Sequence, residues 1–375
     1  MIPYGRQIIE DDDLRAVEEA LRSDFLTTGP RVHEFERAVC EYCGAGYGVA
    51  VSNGTAALHC AMFALGIGPG DEVIVPPLTF AATANCVLYM GATPVFADVE
   101  PDTLLIDAGE VEKKITNRTR AVIGVDYAGQ PCDWDALRSV AEPKGIRLVA
   151  DGCHALGAEY KGRKVGSLAD ITVFSFHPVK HVTTGEGGMV LTDDPELDGR
   201  ARRFRSHGIT ATPEQREAQG TWYYEMVDLG YNYRITDIQC ALGISQMKKL
   251  PGFLARRREI AARYDEELEA ESKVSRLTVR PHSRHAYHLY VVRFEAQKRA
   301  RIFSSLRAGG IGVNVHYIPV HLHPYYRKEL GVGPGMCPVA EAAYQEIISL
   351  PMHPGLSDEQ AAEVLAQVRG AVESA

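Results

Sequence analysis

Three short segments carry residue types and spacings that chemistry needs. Ser52-Asn53-Gly54-Thr55 follows one apolar run and opens a helical pattern. Small residues there leave backbone N–H groups free, and a helix N-terminus favours an anion. Gly54 and Thr55 therefore either cradle a phosphate or form an ordinary N-cap turn. Asp151 ends the apolar run 147–150, with His154 three residues on. The carboxylate either caps the following helix or faces a ligand cation, with His154 near it on the first turn. Lys180 lies in a loop between two apolar runs, beside Thr183-Thr184-Gly185-Glu186-Gly187-Gly188. A loop lysine is usually solvated, but the apolar neighbours and the glycines imply close approach. In a dry site a lysine amine becomes nucleophilic through a lowered pKa. Phe80, in Pro77-Leu78-Thr79-Phe80, either packs in the core or stacks on a flat ring.

One cofactor would use all four features. Pyridoxal phosphate needs a phosphate cradle, a carboxylate for its pyridine nitrogen and a lysine for its aldehyde. They occur in that order along the chain.

The elements that would position them alternate. Strands are expected at Tyr47–Val51, Glu72–Val75, 93–99, 120–125, 147–150, Ile171–Ser175 and Gly188–Thr192, with helices over 55–65, 81–90 and 133–142. This alternation predicts an α/β fold with a mainly parallel sheet and helices on both faces. Unbroken runs such as EVIVP and RLVAD suit strands buried on both sides. Ligands in such sheets bind beyond the carboxyl ends of the strands, where these residues fall. Residues 196–245 read as an Arg-rich helix, a loop and a second helix. A charged helix over 254–272 and strand-like HAYHLYVVRF and IGVNVHYIP read as a smaller C-terminal α/β domain. The division expected is 1–245, a large cofactor-binding domain, and 246–375, a small one.

Composition narrows the classes. The 375 residues hold 40 Lys+Arg against 49 Asp+Glu, a net charge of −9, with 45% hydrophobic and 24% charged residues. That is globular composition, and the acidic balance argues against nucleic acid as a partner. No apolar run reaches about 18 residues, so no membrane helix is expected. The acidic start lacks the basic and apolar regions of a signal peptide, which points to the cytoplasm. The eight cysteines are scattered, and the one CxxC, Cys40 and Cys43, reads as buried thiols, so no metal is expected.

The motifs SNGTAAL, LTFAAT, ADGCHALGA, SFHPVK, TTGEGGM and GYNYRITDIQCALG resemble, in order, those of the DegT/StrS family. These are fold-type I, pyridoxal-phosphate-dependent aminotransferases acting on nucleotide-linked keto-sugars. The resemblance runs from about residue 26 to 354. RFRSHGI, WYYEM and HYIPVHLHPYY look most like the pseudaminic-acid branch. Its aminotransferase makes UDP-4-amino-4,6-dideoxy-N-acetyl-β-L-altrosamine from the 4-keto sugar. His181, directly after the lysine, departs from the proline expected in that branch.

The resemblance implies that Lys180 is the Schiff-base lysine and Asp151 the partner of the pyridine nitrogen. His154 matches the residue beside the cofactor's 3-hydroxyl, and Phe80 the aromatic stacked on the ring. Gly54, Thr55 and Ser175 match the phosphate shell. Asn232 matches a residue reaching the phosphate from a neighbouring subunit, which implies a homodimer with shared sites. The implied cycle takes an amino group from an amino acid, most simply L-glutamate leaving 2-oxoglutarate, through pyridoxamine phosphate, to a UDP-linked keto-sugar. Arg205, His207, His316, Tyr317 and His321 are candidates for shaping the sugar pocket or for packing the domain interface. Thr27 and Thr28 are candidates for its entrance. A sugar dehydratase of the same family would carry His in place of Lys180. A non-catalytic regulator would lack some of these residues. Aminotransferases of the perosamine or 4-amino-arabinose type share them.

Overall fold

A central sheet of seven strands organises the computed structural model, which describes residues 1–211 and 213–375. The strands are β1 (Tyr47–Val51), β2 (Glu72–Val75), β3 (Thr93–Phe96), β4 (Thr119–Val125), β5 (Arg147–Asp151), β6 (Ile171–Ser175) and β7 (Gly188–Thr192). Their order is β1-β7-β6-β5-β4-β2-β3. The five strands from β6 to β3 pair in parallel, whereas β7 is antiparallel to both β1 and β6. β1 therefore shares the direction of β6, and six carboxyl ends lie along one edge. β2 and β7 are buried at every position, so apolar residues run unbroken where both faces are covered.

β1, β2, β6 and β7 have the bounds expected from sequence, and β5 extends one residue, to Asp151. β3 ends at Phe96, short of the 99 expected, and two larger expectations need correction. Residues 237–268 form one helix, Asp237–Leu268, instead of two. Pro251 is accommodated inside it because Leu250 and Leu254 on either side are held in the core. The stretch 311–318 makes only isolated bridges, Ile2 with Ile311 and Asn314 with Ser349. Tyr290–Arg293 instead pairs with Ile347–Leu350 and Ser275–Arg276 in a small three-stranded sheet. The same helix joins two cores. Leu250 and Leu254 lie in the one around the central sheet, and Ile260, Tyr264 and Leu268 in the one around the small sheet.

The start of the site is anchored through Glu36. This side chain, only 4% exposed, lies on the helix Pro30–Cys43. It accepts from the Ala50 N–H at 3.0 Å and from Arg205 and Arg202 at 2.8 and 2.9 Å. Arg205 also donates to the Ala50 carbonyl. β1 is thus tied, just ahead of Gly54, to the helix before it and to the helix Pro195–Arg205. Burial alone would push the Glu36 carboxyl up, but His33, Arg205, Arg202 and the Ala50 N–H together bring it down to about 2.

That depression gives a signed prediction. The folded value lies below the ordinary 4.5, so the stabilisation is complete above about pH 4.5 and is lost as pH falls towards 2. Glu36→Ala leaves two guanidinium groups without their shared partner and should cost on the order of 3–5 kcal/mol at pH 7. Thermal melts of parent and variant should therefore differ clearly at pH 7 and converge as the pH is lowered.

Candidate active site

The loops leaving β1, β5 and β6 meet where Gly54, Cys153 and Ser175 touch. A Cβ built on Gly54 would stand 2.9 Å from the Ser175 Cβ and 3.4 Å from the Cys153 sulfur. One built on Gly188 would stand 2.4 Å from the Asn53 carbonyl oxygen. The glycines permit backbone approach that no side chain allows. Asn53 caps the helix Gly54–Ala64 by accepting from the Ala56 N–H at 2.8 Å. The first N–H groups of this helix have no acceptor within it. The N-cap reading holds for Asn53, and Gly54 and Thr55 open the helix directly after it.

Asp151 ends β5 and is 6% exposed. Its carboxylate accepts from the Thr83 hydroxyl at 2.7 Å and from the Cys153 N–H at 3.3 Å. Thr83 uses its proton there, so the Thr79 hydroxyl donates to Thr83 at 2.7 Å. Both threonines flank Phe80 in the motif quoted above, yet their role is invisible without the fold. On the neighbouring strand end, burial and the Asp151 charge push Asp126 up to about 8, against the hydrogen bond it accepts from the Cys132 N–H.

Lys180 is half-buried in the loop between β6 and β7. Burial lowers its ammonium below the usual lysine value, while Cys153 and Asp151 act in the opposite sense. His154 is 5% exposed; its Nε2 stands 3.0 Å from the Tyr317 hydroxyl, and its Nδ1 has no partner among the described residues. Burial, with Lys180, His316 and His181 nearby, holds its pKa well below the usual value. His288, which the sequence did not single out, packs its ring 4.3 Å from that of His154. His181 is buried, with Nε2 3.0 Å from the Ala286 carbonyl oxygen. A carbonyl only accepts, so Nε2 carries the proton.

Phe80 is 62% exposed, its ring 6.2 Å from that of Tyr317. It stands at the rim of the site, which excludes the core reading. Asn232 is exposed. It sits between Tyr231 and Tyr233, whose rings stack at 5.0 Å, and the Tyr233 hydroxyl lies 3.1 Å from Nδ1 of His59 on the helix Gly54–Ala64.

The remaining candidates separate into groups. Thr27, Thr28 and Arg205 line a cleft of about 810 Å³ together with Arg202, Arg203 and Arg234. Arg205 is already paired with Glu36. His207 is exposed, at φ 62°. His316 and Tyr317 lie on the His154 side, with His316 Nδ1 2.8 Å from the Ser349 hydroxyl. The structure does not bring His321 to any of these. It is fully buried, with Nε2 2.9 Å from Glu341, because Glu341 also accepts the N–H groups of Gly335 and Cys337 and closes that turn.

Pyridoxal phosphate fits this set. The space at Gly54 is one that a Cβ would fill, and it lies at a helix N-terminus suited to a phosphate. Asp151 is a buried carboxylate bonded to neutral donors, and the orphaned Nδ1 of His154 calls for a partner.

Comparisons with known proteins agree. A family model described as the DegT/DnrJ/EryC1/StrS aminotransferase family matches residues 7–369. The spore coat polysaccharide biosynthesis protein SpsC of Bacillus subtilis is 42% identical over 380 residues, covering 100% of this chain and 98% of its own. The putative sugar aminotransferase Spr1654 from Streptococcus pneumoniae, in a structure described as its PMP-form, superposes with a TM-score of 0.95 at 35% identity over 100% of both chains. PseC of Helicobacter pylori, described as an aminotransferase involved in the biosynthesis of pseudoaminic acid, does so at 0.93 and 34%, again over 100% of both. The fold is that of these aminotransferases.

Gly54→Ala tests the cradle. The added methyl should lower pyridoxal phosphate affinity by about tenfold or more while the circular dichroism spectrum is unchanged. Unaltered affinity in a fluorescence titration would remove Gly54 from the phosphate site.

Proposed function

We propose a reaction for this chain, which belongs to the DegT/DnrJ/EryC1/StrS aminotransferase family. It is a pyridoxal-phosphate-dependent sugar aminotransferase, and the reaction is transfer of an amino group from L-glutamate to C4 of a UDP-linked 4-keto-6-deoxy-N-acetylhexosamine, in pseudaminic acid biosynthesis. The convergence of Lys180, Asp151 and Gly54 at neighbouring strand ends carries this reading. Its branch rests on the motifs shared with the pseudaminic-acid enzymes and on the likeness to PseC.

The bound cofactor supplies an electron sink for the pair left when a C–H bond beside nitrogen breaks. The chain's residues do the rest. Gly54, Thr55 and Ser175 would hold the phosphate at the helix end. Asp151, fixed by Thr83, would face the ring nitrogen and keep it protonated. Phe80 would cover the ring from the rim. Lys180 Nζ would be the amine that holds the cofactor's aldehyde. As a free amine, Lys180 then moves a proton away from the donor Cα, and in the second half returns one to sugar C4. Burial favours the amine form that can accept that proton.

The site is completed by a second copy of the chain, with Asn232 reaching the partner's phosphate. Trp222, Met226 and Leu229, exposed by 82, 64 and 79%, form an apolar stretch beside it that association would cover. A second reading, an aminotransferase for a different nucleotide 4-keto sugar, is supported by the 42% identity to SpsC, which exceeds the 34% to PseC.

Two experiments test the reading. Lys180→Ala should lose roughly 10²–10⁴-fold or more of its turnover, with no bleaching of the visible band by glutamate; near-normal turnover contradicts the assignment. Protein loaded with pyridoxamine phosphate should aminate the UDP-linked 4-keto-6-deoxy-N-acetylhexosamine in a single turnover. Faster reaction with a keto-sugar of the perosamine or 4-amino-arabinose type would establish the second reading instead.

A further inference from the structure

We propose that Tyr317 is a positioning residue for His154, and that its hydroxyl fixes the imidazole beside the cofactor instead of contacting the sugar. The inference rests on the cofactor occupying the site as described above.

The Tyr317 hydroxyl is the one protein partner of His154 Nε2 among the described hydrogen bonds, at 3.0 Å. The two rings lie 6.1 Å apart and 25° from parallel. On another side, His288 packs against the imidazole at 4.3 Å, tilted by 40°. The ring is thus held by one hydrogen bond and by a close, tilted contact with His288. Tyr317 is itself braced. The Tyr127 hydroxyl donates to the carbonyl of His316, the residue before it, and the His316 ring meets Ser349 in the small sheet. Ser349 of the small sheet is thereby linked to His154 through His316 and the Tyr317 hydroxyl.

The groups facing His154 are Lys180, His181, His288, His316, Tyr127 and Tyr317. Asp151, three residues earlier, is bonded to Thr83 and to the Cys153 N–H. No carboxylate bonds to the imidazole among the described residues, so His154 is neutral, with one N–H and one lone pair. Burial pushes the Tyr317 phenol well up, so it stays protonated and able to donate. A phenol donating to Nε2 places the imidazole proton on Nδ1, the atom left without a protein partner. Nδ1–H is then free to donate to an acceptor on the cofactor. A tyrosine contacting the sugar would not need its hydroxyl turned to His154.

Tyr317→Phe removes the hydroxyl and keeps the ring. In the cofactor-loaded protein, the pH midpoint of the visible absorption change should move by about half a unit or more. kcat should fall about tenfold, with KM for the keto-sugar within about twofold of the parent. In a His154→Asn background the same substitution should move neither quantity further. A raised sugar KM with an unchanged spectral midpoint, or no change in either, overturns the proposal. A parent protein that develops no visible band with pyridoxal phosphate would instead overturn the cofactor reading, and the proposal with it.

Discussion

A carboxylate buried at the end of a strand sets the terms for its surroundings. Asp151 leaves β5 where the chain turns from sheet to loop, and little of it reaches solvent. A buried carboxylate without donors or a cation is costly. The protein supplies neutral donors only, a threonine hydroxyl and a backbone N–H, and among the described residues no side-chain cation is paired with it. Such a group is poised for a cation that arrives with a ligand, and a protonated pyridine ring provides one. Thr83, which holds it, stands at the start of the helix Ala82–Tyr89 that follows β2, so the carboxylate also fixes how two strand ends sit.

The rest of the fold brings donors to that point. Six strands share one direction, so the loops that follow them open on one edge of the sheet. The reversal of β7 serves the site directly: the loop between β6 and β7 carries Lys180 back across that edge, and Gly188 lets it pass against Asn53. The small sheet contributes from behind. Arg257, fully buried between the two cores on the long helix, donates to the carbonyls of Tyr287, His288 and Met352. It thereby seats the segment whose His288 packs on His154. A net charge of −9 coexists with phosphate binding because local donors, not the global balance, create the site.

Much of this was legible in the sequence, for a physical reason. Strands buried on both faces are written as short unbroken apolar runs, so four of the seven had their bounds on the page. Gly54, Asp151 and Lys180 stand at strand ends, where small or charged residues interrupt apolar runs. What stayed hidden depends on distance in sequence. Thr83 is 68 residues from Asp151, and Tyr317 is 163 from His154, so no local pattern marks either pair. His321 shows the converse. Its motif allowed a pocket wall or interface packing, and a turn closed on Glu341 buries it. The long helix runs on through Pro251, where packing on both flanks outweighs a lost backbone hydrogen bond.

The claim that a buried, threonine-held carboxylate drives the chemistry is tested most directly by Asp151→Asn in the cofactor-loaded protein, with each half-reaction followed by stopped-flow absorbance. Asparagine keeps the shape and removes the charge. The account predicts that both half-reactions slow by roughly two orders of magnitude or more while cofactor remains bound. Near-parental rates in the loaded variant would contradict it.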